Sequence, residues 1–404
     1  MKKNFVEVAA VIDSYKEEMG LNLVKITGIN SVSPANGGQG EMKKGLFLLS
    51  LLKSMKLAPK VYKYKDKYDI YRPNIILKYG NRKKTIWIVS HTDTVSEGDM
   101  KLWNTPPFKG ILKNGKIYGR GTNDNGQSLI ASIYTLKALI ETGAELKFNV
   151  GIALVADEEN GSEYGIRKLI KEGIFGKEDM FLVPDLGSQS ERGRNIEISE
   201  KGLAWFKIVV KGKQVHASTP QKGINAYKYL IMFLADLDIF LSKKYNKRNR
   251  LFMPQHSTFE FTMHEKNLDS INIISGSETA YMDCRILPCY KIKDIFISIK
   301  RLAKNKKYKP ADIHVELVDK GEATIPISTK STMYVILEEA ILEIIKKKPK
   351  PVGIGAATCA RALRHAGWPA IVWSIADDVP HQPNEYARVN DIVLECKTFS
   401  YLFL

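Results

Sequence analysis

Four short stretches of the chain are apolar throughout. They are Ile86 to Val89, Val150 to Ala156, Phe181 to Val183 and Ala370 to Trp373. A half-exposed strand would alternate apolar and polar residues, so uninterrupted runs of this length are typical of parallel strands buried on both faces. Helix-length segments such as 129–140 and 331–346 separate the runs. The pattern therefore predicts an α/β fold with a parallel sheet.

The pattern changes between about 203 and 318. Six segments there predict the order strand, helix, strand, strand, helix, strand, at 203–210, 225–241, 258–263, 279–286, 291–304 and 313–318. This βαββαβ order is that of a ferredoxin-like sandwich. We therefore expect 203–318 to be an inserted lid or dimerisation domain, with 1–202 and 319–404 forming one discontinuous domain around it.

Composition narrows the class of protein. The 404 residues are 44% apolar and 26% charged, which matches a globular chain of two or three domains. Lys and Arg outnumber Asp and Glu by 61 to 44, a net charge of +17, which attracts nucleic acid, acidic membranes and carboxylate metabolites alike. The basic residues lie in scattered short runs without an aromatic ladder, so we interpret them as solvated faces.

Compartment is suggested by cysteine usage and by the beginning of the sequence. The four cysteines form no CxxC pair, which argues against a disulfide framework or a thiolate zinc site. Glu7 and Asp13 interrupt the first apolar stretch, so it does not match a signal peptide. No window approaches the about 18 apolar residues of a membrane span. We expect a cytoplasmic protein with no membrane partner.

Three motifs carry candidate chemistry. In Ser90–Asp93, residues two apart face the same way in an extended segment, so His91 and Asp93 suit a metal ligand and the carboxylate that fixes its second ring nitrogen. Taken alone, this motif favours a loop histidine beside a turn aspartate. Asp124 lies in a glycine-rich loop that is neither a dinucleotide fingerprint nor a Walker loop. Glu158 and Glu159 follow a strand, where an acidic turn is the alternative interpretation.

Two further residues, Asp185 and His381, follow the strands 181–183 and 370–373. Two histidines and several carboxylates thus lie near the carboxyl ends of α/β strands, where open sheets build their sites. Imidazole and carboxylate ligands together suit zinc, cobalt or manganese, and one bridging carboxylate holds two ions about 3.5–4 Å apart.

The motifs, in this order, resemble the two-metal metallopeptidases and amidohydrolases that include acetylornithine deacetylase, succinyl-diaminopimelate desuccinylase, aminoacylase and glutamate carboxypeptidase. The resemblance runs from about 86 to 387. It rests on SHTDTV at 90–95, YGRGTND at 118–124, ADEENGSEYG at 156–165, VPDLG at 183–187, VHASTPQKGINA at 215–226, NIISG at 272–276 and HQPNEYARV at 381–389. It implies a zinc-peptidase-like catalytic domain with a mixed, largely parallel sheet, and an inserted ferredoxin-like lid and dimerisation domain.

The resemblance also implies a role for each metal-site residue. Asp124 would bridge two divalent ions, zinc with cobalt or manganese as alternatives. One ion would also take His91 and Asp185, and the other Glu159 and His381. Glu158 would be the general base and Asp93 the carboxylate that positions His91.

In the inserted domain, the resemblance implies that His216 reaches a neighbouring subunit's site and stabilises the oxyanion, hence a homodimer or a higher homo-oligomer. A histidine packed at the domain's own surface is the alternative. Asn272, Arg285 and Thr358 match substrate-binding positions. The chain departs from the family at Ala357-Thr358-Cys359, where Gly-Thr-Asp is common, and this departure weakens any specificity transferred through Thr358. It departs again after Asp124, where Asn125-Gly126-Gln127 stands in place of x-Lys-Gly.

The expected function is metal-dependent hydrolysis of an amide bond in a small molecule or short peptide with a free carboxylate, either a C-terminal peptide bond or an N-acyl amino acid. A specific succinyl-diaminopimelate desuccinylase or acetylornithine deacetylase is the nearest alternative. A catalytically inactive basic protein that binds nucleic acid is a more distant one, and the complete set of candidate ligands argues against a nucleic-acid partner.

Overall fold

The computed structural model describes residues 3–268 and 270–404. Its largest sheet has eight strands: β1 (Lys60–Lys65), β2 (Tyr71–Tyr79), β3 (Thr85–His91), β6 (Asn149–Val155), β7 (Met180–Val183), β8 (Asn195–Glu200), β15 (Lys350–Ile354) and β16 (Ala370–Val372). Their order across the sheet is β1-β2-β6-β3-β7-β16-β8-β15.

The centre of this sheet is parallel, since β3 pairs in parallel with both β6 and β7, and β7 pairs in parallel with β16. The pairs β1–β2, β2–β6 and β16–β8 are antiparallel. Every residue of β3, β6 and β7 is buried, which explains why their sequences are mostly apolar. The predicted mixed α/β fold is confirmed, and the four middle strands β6, β3, β7 and β16 pair in parallel.

Helices flank the sheet, and a small three-stranded sheet lies apart from it. The helices are α1 (Lys3–Ser14), α2 (Lys16–Thr27), α3 (Met42–Ser54), α4 (Gln127–Glu141), α5 (Ile166–Lys171), α8 (Thr332–Ile344), α9 (Cys359–His365) and α10 (Val389–Tyr401). The small sheet has the order β17-β5-β4, with β4 at Ile111–Lys113, β5 at Lys116–Tyr118 and β17 at Tyr386–Arg388. Helix α4 is buried over most of its length and packs on α10.

The described chain folds into two compact units. The first comprises the described residues up to Ile198, with Ile327–Val352 and Thr358–Leu404. The second comprises the described residues of Ser199–Pro326 with Gly353–Ala357. None of the helices in the described ranges 3–268 and 270–404 has both the length and the apolar character needed to cross a bilayer.

The second unit contains the six predicted elements in the predicted order. They are β9 (Gly202–Lys211), α6 (Ala226–Lys244), β11 (Thr258–His264), β13 (Ser277–Ile286), α7 (Ile292–Ala303) and β14 (Asp312–Gly321). The four strands form an antiparallel sheet in the order β11-β13-β9-β14. Its core joins apolar side chains of this sheet, such as Phe206 and Ile208, to Phe233 of α6 and Ile295 of α7. A separate two-stranded ribbon pairs β10 (Val215–His216) with β12 (Ile273–Ile274).

Candidate metal centre

The candidate residues of the first unit lie where the central strands end. His91 is the last residue of β3 and stands opposite Val155, the last residue of β6, in the parallel register. Glu158 and Glu159 follow β6, and Asp185 follows β7. Because β3 pairs in parallel with both β6 and β7, their carboxyl ends share one edge of the sheet, as expected for an α/β site.

Asp124 reaches this edge from the loop before α4. Gly121 of the loop has φ 78°, in the left-handed region that glycine adopts at little cost. Asp124 itself has a non-helical conformation (φ −113°, ψ 93°), and the helix begins three residues later at Gln127. The Asn125 side chain donates a hydrogen bond to the carbonyl of Pro184 at 2.6 Å. This bond ties the Asp124 loop to the segment that carries Asp185.

The two oxygens of Asp124 contact two different histidines. Oδ1 lies 2.7 Å from His91 Nε2, and Oδ2 lies 3.1 Å from His381 Nε2. The same nitrogen of His381 is 3.3 Å from Glu159 Oε2. The structure therefore brings Asp124 between two imidazoles, the position that a bridging carboxylate requires.

Two overlapping groups of side chains have the spacing of metal ligands. Ligand atoms of His91, Asp124 and Glu159 lie within 4.8 Å of one another, and so do those of His91, Glu158 and Asp185. Glu158, which the family resemblance implies to be the general base, thus lies in the same group as the predicted ligand Asp185. The buried Glu159 Oε1 has no hydrogen-bond partner among the described residues.

Burial and mutual repulsion raise the pKa of several carboxyls at this edge. Burial raises the pKa of Asp185 to about 7, and the charge on Asp124 adds to the effect. The pKa of Glu158 lies well above its ordinary value because the side chain is buried and faces the charges of Asp185, Glu159 and Asp93. Burial, with the charge on Asp124, also raises the pKa of Glu159. Such a crowded set of acids attracts cations.

The two histidines show the same attraction from the other side. Hydrogen bonds to Asp124 and Glu159 raise the pKa of His381 to about 11. Burial lowers the pKa of His91, but its hydrogen bonds to Asp124 and Asp93 outweigh burial, so this pKa lies well above the ordinary value. The carboxylates therefore stabilise positive charge at both imidazoles, whether protons or metal ions carry that charge.

Asp93 holds both His91 and the segment of the predicted base. Its two carboxylate oxygens accept the backbone N–H groups of Glu158 and Glu159, each at 3.0 Å. His91 Nδ1 lies 3.1 Å from the Asp93 carbonyl oxygen and 3.5 Å from carboxylate Oδ1. Both the backbone carbonyl of Asp93 and its predicted carboxylate therefore hold the His91 ring.

Sequence reasoning missed a buried ionic cluster behind this segment. Arg72 Nε donates to Glu41 Oε2 at 2.6 Å, and its Nη1 lies 3.2 Å from Asp157 Oδ1 and 3.3 Å from Asp66 Oδ2. Glu41 also accepts the backbone N–H of Asp157 at 3.1 Å. Asp157 has φ 65°, a conformation that a non-glycine residue keeps only where its contacts hold it. The cluster thus fixes the turn that leads into Glu158.

The predicted residues of the inserted segment lie in the second unit. His216 is exposed on the β10 ribbon, where its Nδ1 lies 2.7 Å from Ser218 Oγ and its Nε2 lies 3.4 Å from Asn272 Nδ2. Arg285 is held by Asp283, with Nε–Oδ1 at 2.7 Å and Nη2–Oδ2 at 3.0 Å, and donates from Nη1 to the Gly355 carbonyl at 3.1 Å. The structure therefore makes His216 and Asn272 neighbours.

Thr358, the remaining predicted substrate contact, lies in the first unit immediately before α9. Its side-chain oxygen accepts the N–H of Ala360 at 3.1 Å. This is the ordinary hydrogen bond of a threonine at a helix N-cap. The hydroxyl therefore has a local role in ending the loop and starting α9.

Comparison with known proteins agrees with this architecture. The sequence profile of peptidase family M20/M25/M40 matches residues 87–404. An uncharacterized metallohydrolase of Methanocaldococcus jannaschii is 38% identical over 391 residues, covering 92% of this chain and 95% of the relative. A succinyl-diaminopimelate desuccinylase of Rickettsia bellii is 27% identical over 92% of both chains.

Solved structures show the same fold at lower sequence identity. An M20 family metallo-carboxypeptidase of Sulfolobus solfataricus superposes with a TM-score of 0.75 at 20% identity, covering 95% of this chain and 98% of that one. The di-peptidase Dug1p of Saccharomyces cerevisiae gives a TM-score of 0.76 at 16% identity and covers 100% of this chain and 98% of its own.

Proposed function

The chain belongs to peptidase family M20/M25/M40 and is a metal-dependent hydrolytic enzyme, and we propose that it uses two divalent cations. The reaction would be the hydrolysis of an amide bond in a substrate with a free carboxylate. The bond is either a C-terminal peptide bond or the acyl bond of an N-acyl amino acid. The observation that carries the proposal is the position of Asp124 between the imidazoles of His91 and His381.

The donor set fits two cations. His91 and Asp185 would hold one ion and Glu159 and His381 the other, and Asp124 would contribute to both. Glu159 Oε1 is buried and has no hydrogen-bond partner in the part of the chain that the structure describes. A buried polar atom without a partner is costly unless something such as a cation binds it. Imidazole and carboxylate donors suit zinc, with cobalt or manganese as alternatives. When bound, the ions would polarise the scissile carbonyl and lower the pKa of the attacking water.

Glu158 is the proposed general base. Its carboxylate lies in one group with His91 and Asp185, so it would lie beside the ion that these two residues hold. It would take a proton from the attacking water and deliver that proton to the leaving amine. Asp93 positions it by accepting the N–H groups of both Glu158 and Glu159.

Residues of the second unit would recognise the substrate. We assign Arg285 and Asn272 to substrate contacts and His216 to the oxyanion, as the family resemblance implies. Arg285 donates two N–H groups to Asp283 and one to the Gly355 carbonyl. Among the described residues, the other two of its five N–H groups stay available for a substrate carboxylate. We also propose that the active form is a homodimer or a higher homo-oligomer, in which His216 acts on a neighbouring subunit's site.

The test combines metal analysis with a substrate panel. Dipeptides with free and with amidated C-termini, N-acetyl and N-succinyl amino acids, and N-succinyl-diaminopimelate would be assayed before and after chelation and after metal is restored. We expect chelator-sensitive hydrolysis of free-carboxylate substrates only. Turnover of N-succinyl-diaminopimelate alone would favour the specific activity named for the Rickettsia bellii relative.

Glu158→Gln tests the role of the proposed base. We expect it to lower turnover by about 10²–10⁴-fold while the bound metal stays at the wild-type level. A protein that binds two metal ions and hydrolyses nothing in the panel, or one in which the Glu158→Gln variant turns over normally, would refute the proposed function.

A further inference from the structure

Glu385 is a buried carboxylate that forms hydrogen bonds with the backbone of the Asp124 loop. The side chain is fully buried. Its Oε1 accepts the backbone N–H groups of Asn123 at 2.9 Å and Asp124 at 3.1 Å, and its Oε2 accepts that of Gly121 at 3.1 Å. Three backbone N–H groups bonded to one carboxylate fix the path of this loop, whose residue Asp124 has a non-helical conformation.

Arg120 links Glu385 to the loop of His381 by hydrogen bonds. Its Nη1 donates to Glu385 Oε2 at 2.8 Å and to the Gln382 carbonyl at 3.2 Å, and its Nη2 donates to the His381 carbonyl at 3.3 Å. Its Nε donates to the Ser96 carbonyl at 3.2 Å. Arg120 is 3% exposed, so these bonds form out of water, where charge-assisted hydrogen bonds are strong.

Packing holds His381 less firmly than it holds His91. Its side chain is 55% exposed, against 2% for His91, so packing contributes little to holding the ring. Its backbone has φ 62°, in the left-handed region that a non-glycine residue keeps only where its surroundings hold it. The bond from Arg120 to the His381 carbonyl is one such restraint.

We propose that Glu385 and Arg120 are positioning residues, which together set the separation of Asp124 and His381 and so determine the affinity for the ion on the His381 side. This inference rests on the proposed two-metal function. Both residues contact the candidate ligands through backbone groups, Glu385 at the N–H of Asp124 and Arg120 at the carbonyl of His381. They act through hydrogen bonds to the backbone of the ligands, the kind of support whose loss costs about 10–100-fold in metal affinity.

The informative substitution is Glu385→Gln. It keeps the size of the side chain, but its amide nitrogen cannot accept a hydrogen bond. Since each carboxylate oxygen accepts two of the four donors, the variant leaves two donors unpaired whichever way the amide turns. Arg120→Lys is the complementary change, because it keeps the charge and loses the planar fork that reaches two carbonyls of the His381 loop.

Glu197→Gln is the matched control. Glu197 is also fully buried and pairs with an arginine, with Arg364 Nη1–Oε1 at 2.8 Å and Nη2–Oε2 at 2.9 Å. Arg364 belongs to α9 and is neither a candidate ligand nor part of the loop of one. The control therefore shows how far the loss of a comparable buried ion pair changes metal binding by itself.

The experiment titrates Co²⁺ into metal-free full-length protein and follows visible absorption, with metal content determined by mass spectrometry. We expect wild-type protein and Glu197→Gln to bind two equivalents with the same spectrum. In Glu385→Gln and in Arg120→Lys, the equivalent on the His381 side should bind about 10–100-fold more weakly and the cobalt bands should shift. The other equivalent, which the buried His91 also holds, should be weakened less. The double variant should lose no more than the worse single one, since the two residues act as a unit.

Two results overturn the inference. One is two-equivalent binding of wild-type strength by both Glu385→Gln and Arg120→Lys. The other is a loss of metal in Glu197→Gln as large as theirs, which would mean that general destabilisation explains it. Wild-type protein that binds fewer than two equivalents would instead refute the two-metal function itself, so the two failures are distinguishable.

Discussion

Glu395 of α10 offers a direct test of how the interior of the first unit handles a buried acid. Its side chain is fully buried. One oxygen accepts the N–H of Ile375 at 2.6 Å, and the other accepts the hydroxyl of Ser128 at 2.7 Å. Burial raises its pKa from 4.5 to about 8, although these hydrogen bonds oppose the rise, and the charge on Asp391 adds to it.

The size of the effect follows from this pKa. Because the folded state binds this proton more tightly than the unfolded state does, the contribution of Glu395 to the free energy of unfolding falls as the pH rises from about 4.5 to about 8. This contribution changes no further above that range. A change from 4.5 to about 8 corresponds to a loss of at most about 5 kcal/mol between the two limits. Glu395→Gln mimics the neutral acid and carries no proton to lose, so this part of the pH dependence should disappear.

The assay is urea unfolding of the chelated protein at pH 5.5 and at pH 9. Chelation removes the pH dependence of metal binding, and comparing variants cancels the titration of every other group. We expect the urea midpoint of the wild-type protein to fall more between the two pH values than that of Glu395→Gln. Glu17→Gln, on the exposed face of α2, should behave as wild type. Equal falls for the wild-type protein and Glu395→Gln would refute the reasoning.

Two further predictions concern the site and its support. His216→Ala should lower turnover by about 10²–10³-fold, the cost of one oxyanion donor, and leave the metal content unchanged. The control His314→Ala should change neither turnover nor metal content. A loss of metal in His216→Ala that parallels its loss of turnover would contradict the assignment. Arg72→Met should lower the thermal midpoint by the equivalent of about 3–5 kcal/mol, since three buried carboxylates lose their counter-charge. The exposed Arg250→Met is its control, and an equally small change in both would contradict that role.

The candidate ligands could be placed at one edge of the sheet from the sequence because they follow strands that local pattern reveals. A run such as Ile86 to Val89 predicts a buried strand, and the polar residue that ends it, His91, then falls at the sheet edge. The same reasoning applies to Glu159 after β6 and Asp185 after β7. In the second unit, the alternation of strand and helix patterns was enough to predict all six elements in order.

The supporting residues could not be found in this way. Arg72 pairs with Glu41 and Asp157, which are 31 and 85 residues away, and Glu385 grips a loop 261 to 265 residues away. Each of these residues is of a type that usually lies at the surface. Only the tertiary fold shows that they are buried, so residue type and local periodicity carry no signal for them.

Asp93 shows where the limit lies within a single motif. Alternation along an extended segment places its side chain on the same face as that of His91, and this much is local. The contact of its carboxylate with the N–H groups of Glu158 and Glu159 depends on β3 and β6 being neighbours with His91 opposite Val155, and the backbone N–H of Thr92 continues that register by donating to Val155 at 2.8 Å. A slip of the register would bring other residues opposite the end of β3 and remove these contacts, although neither sequence motif had changed. The order and register of the central strands therefore determine the position of the predicted base, while the motifs determine only its chemistry.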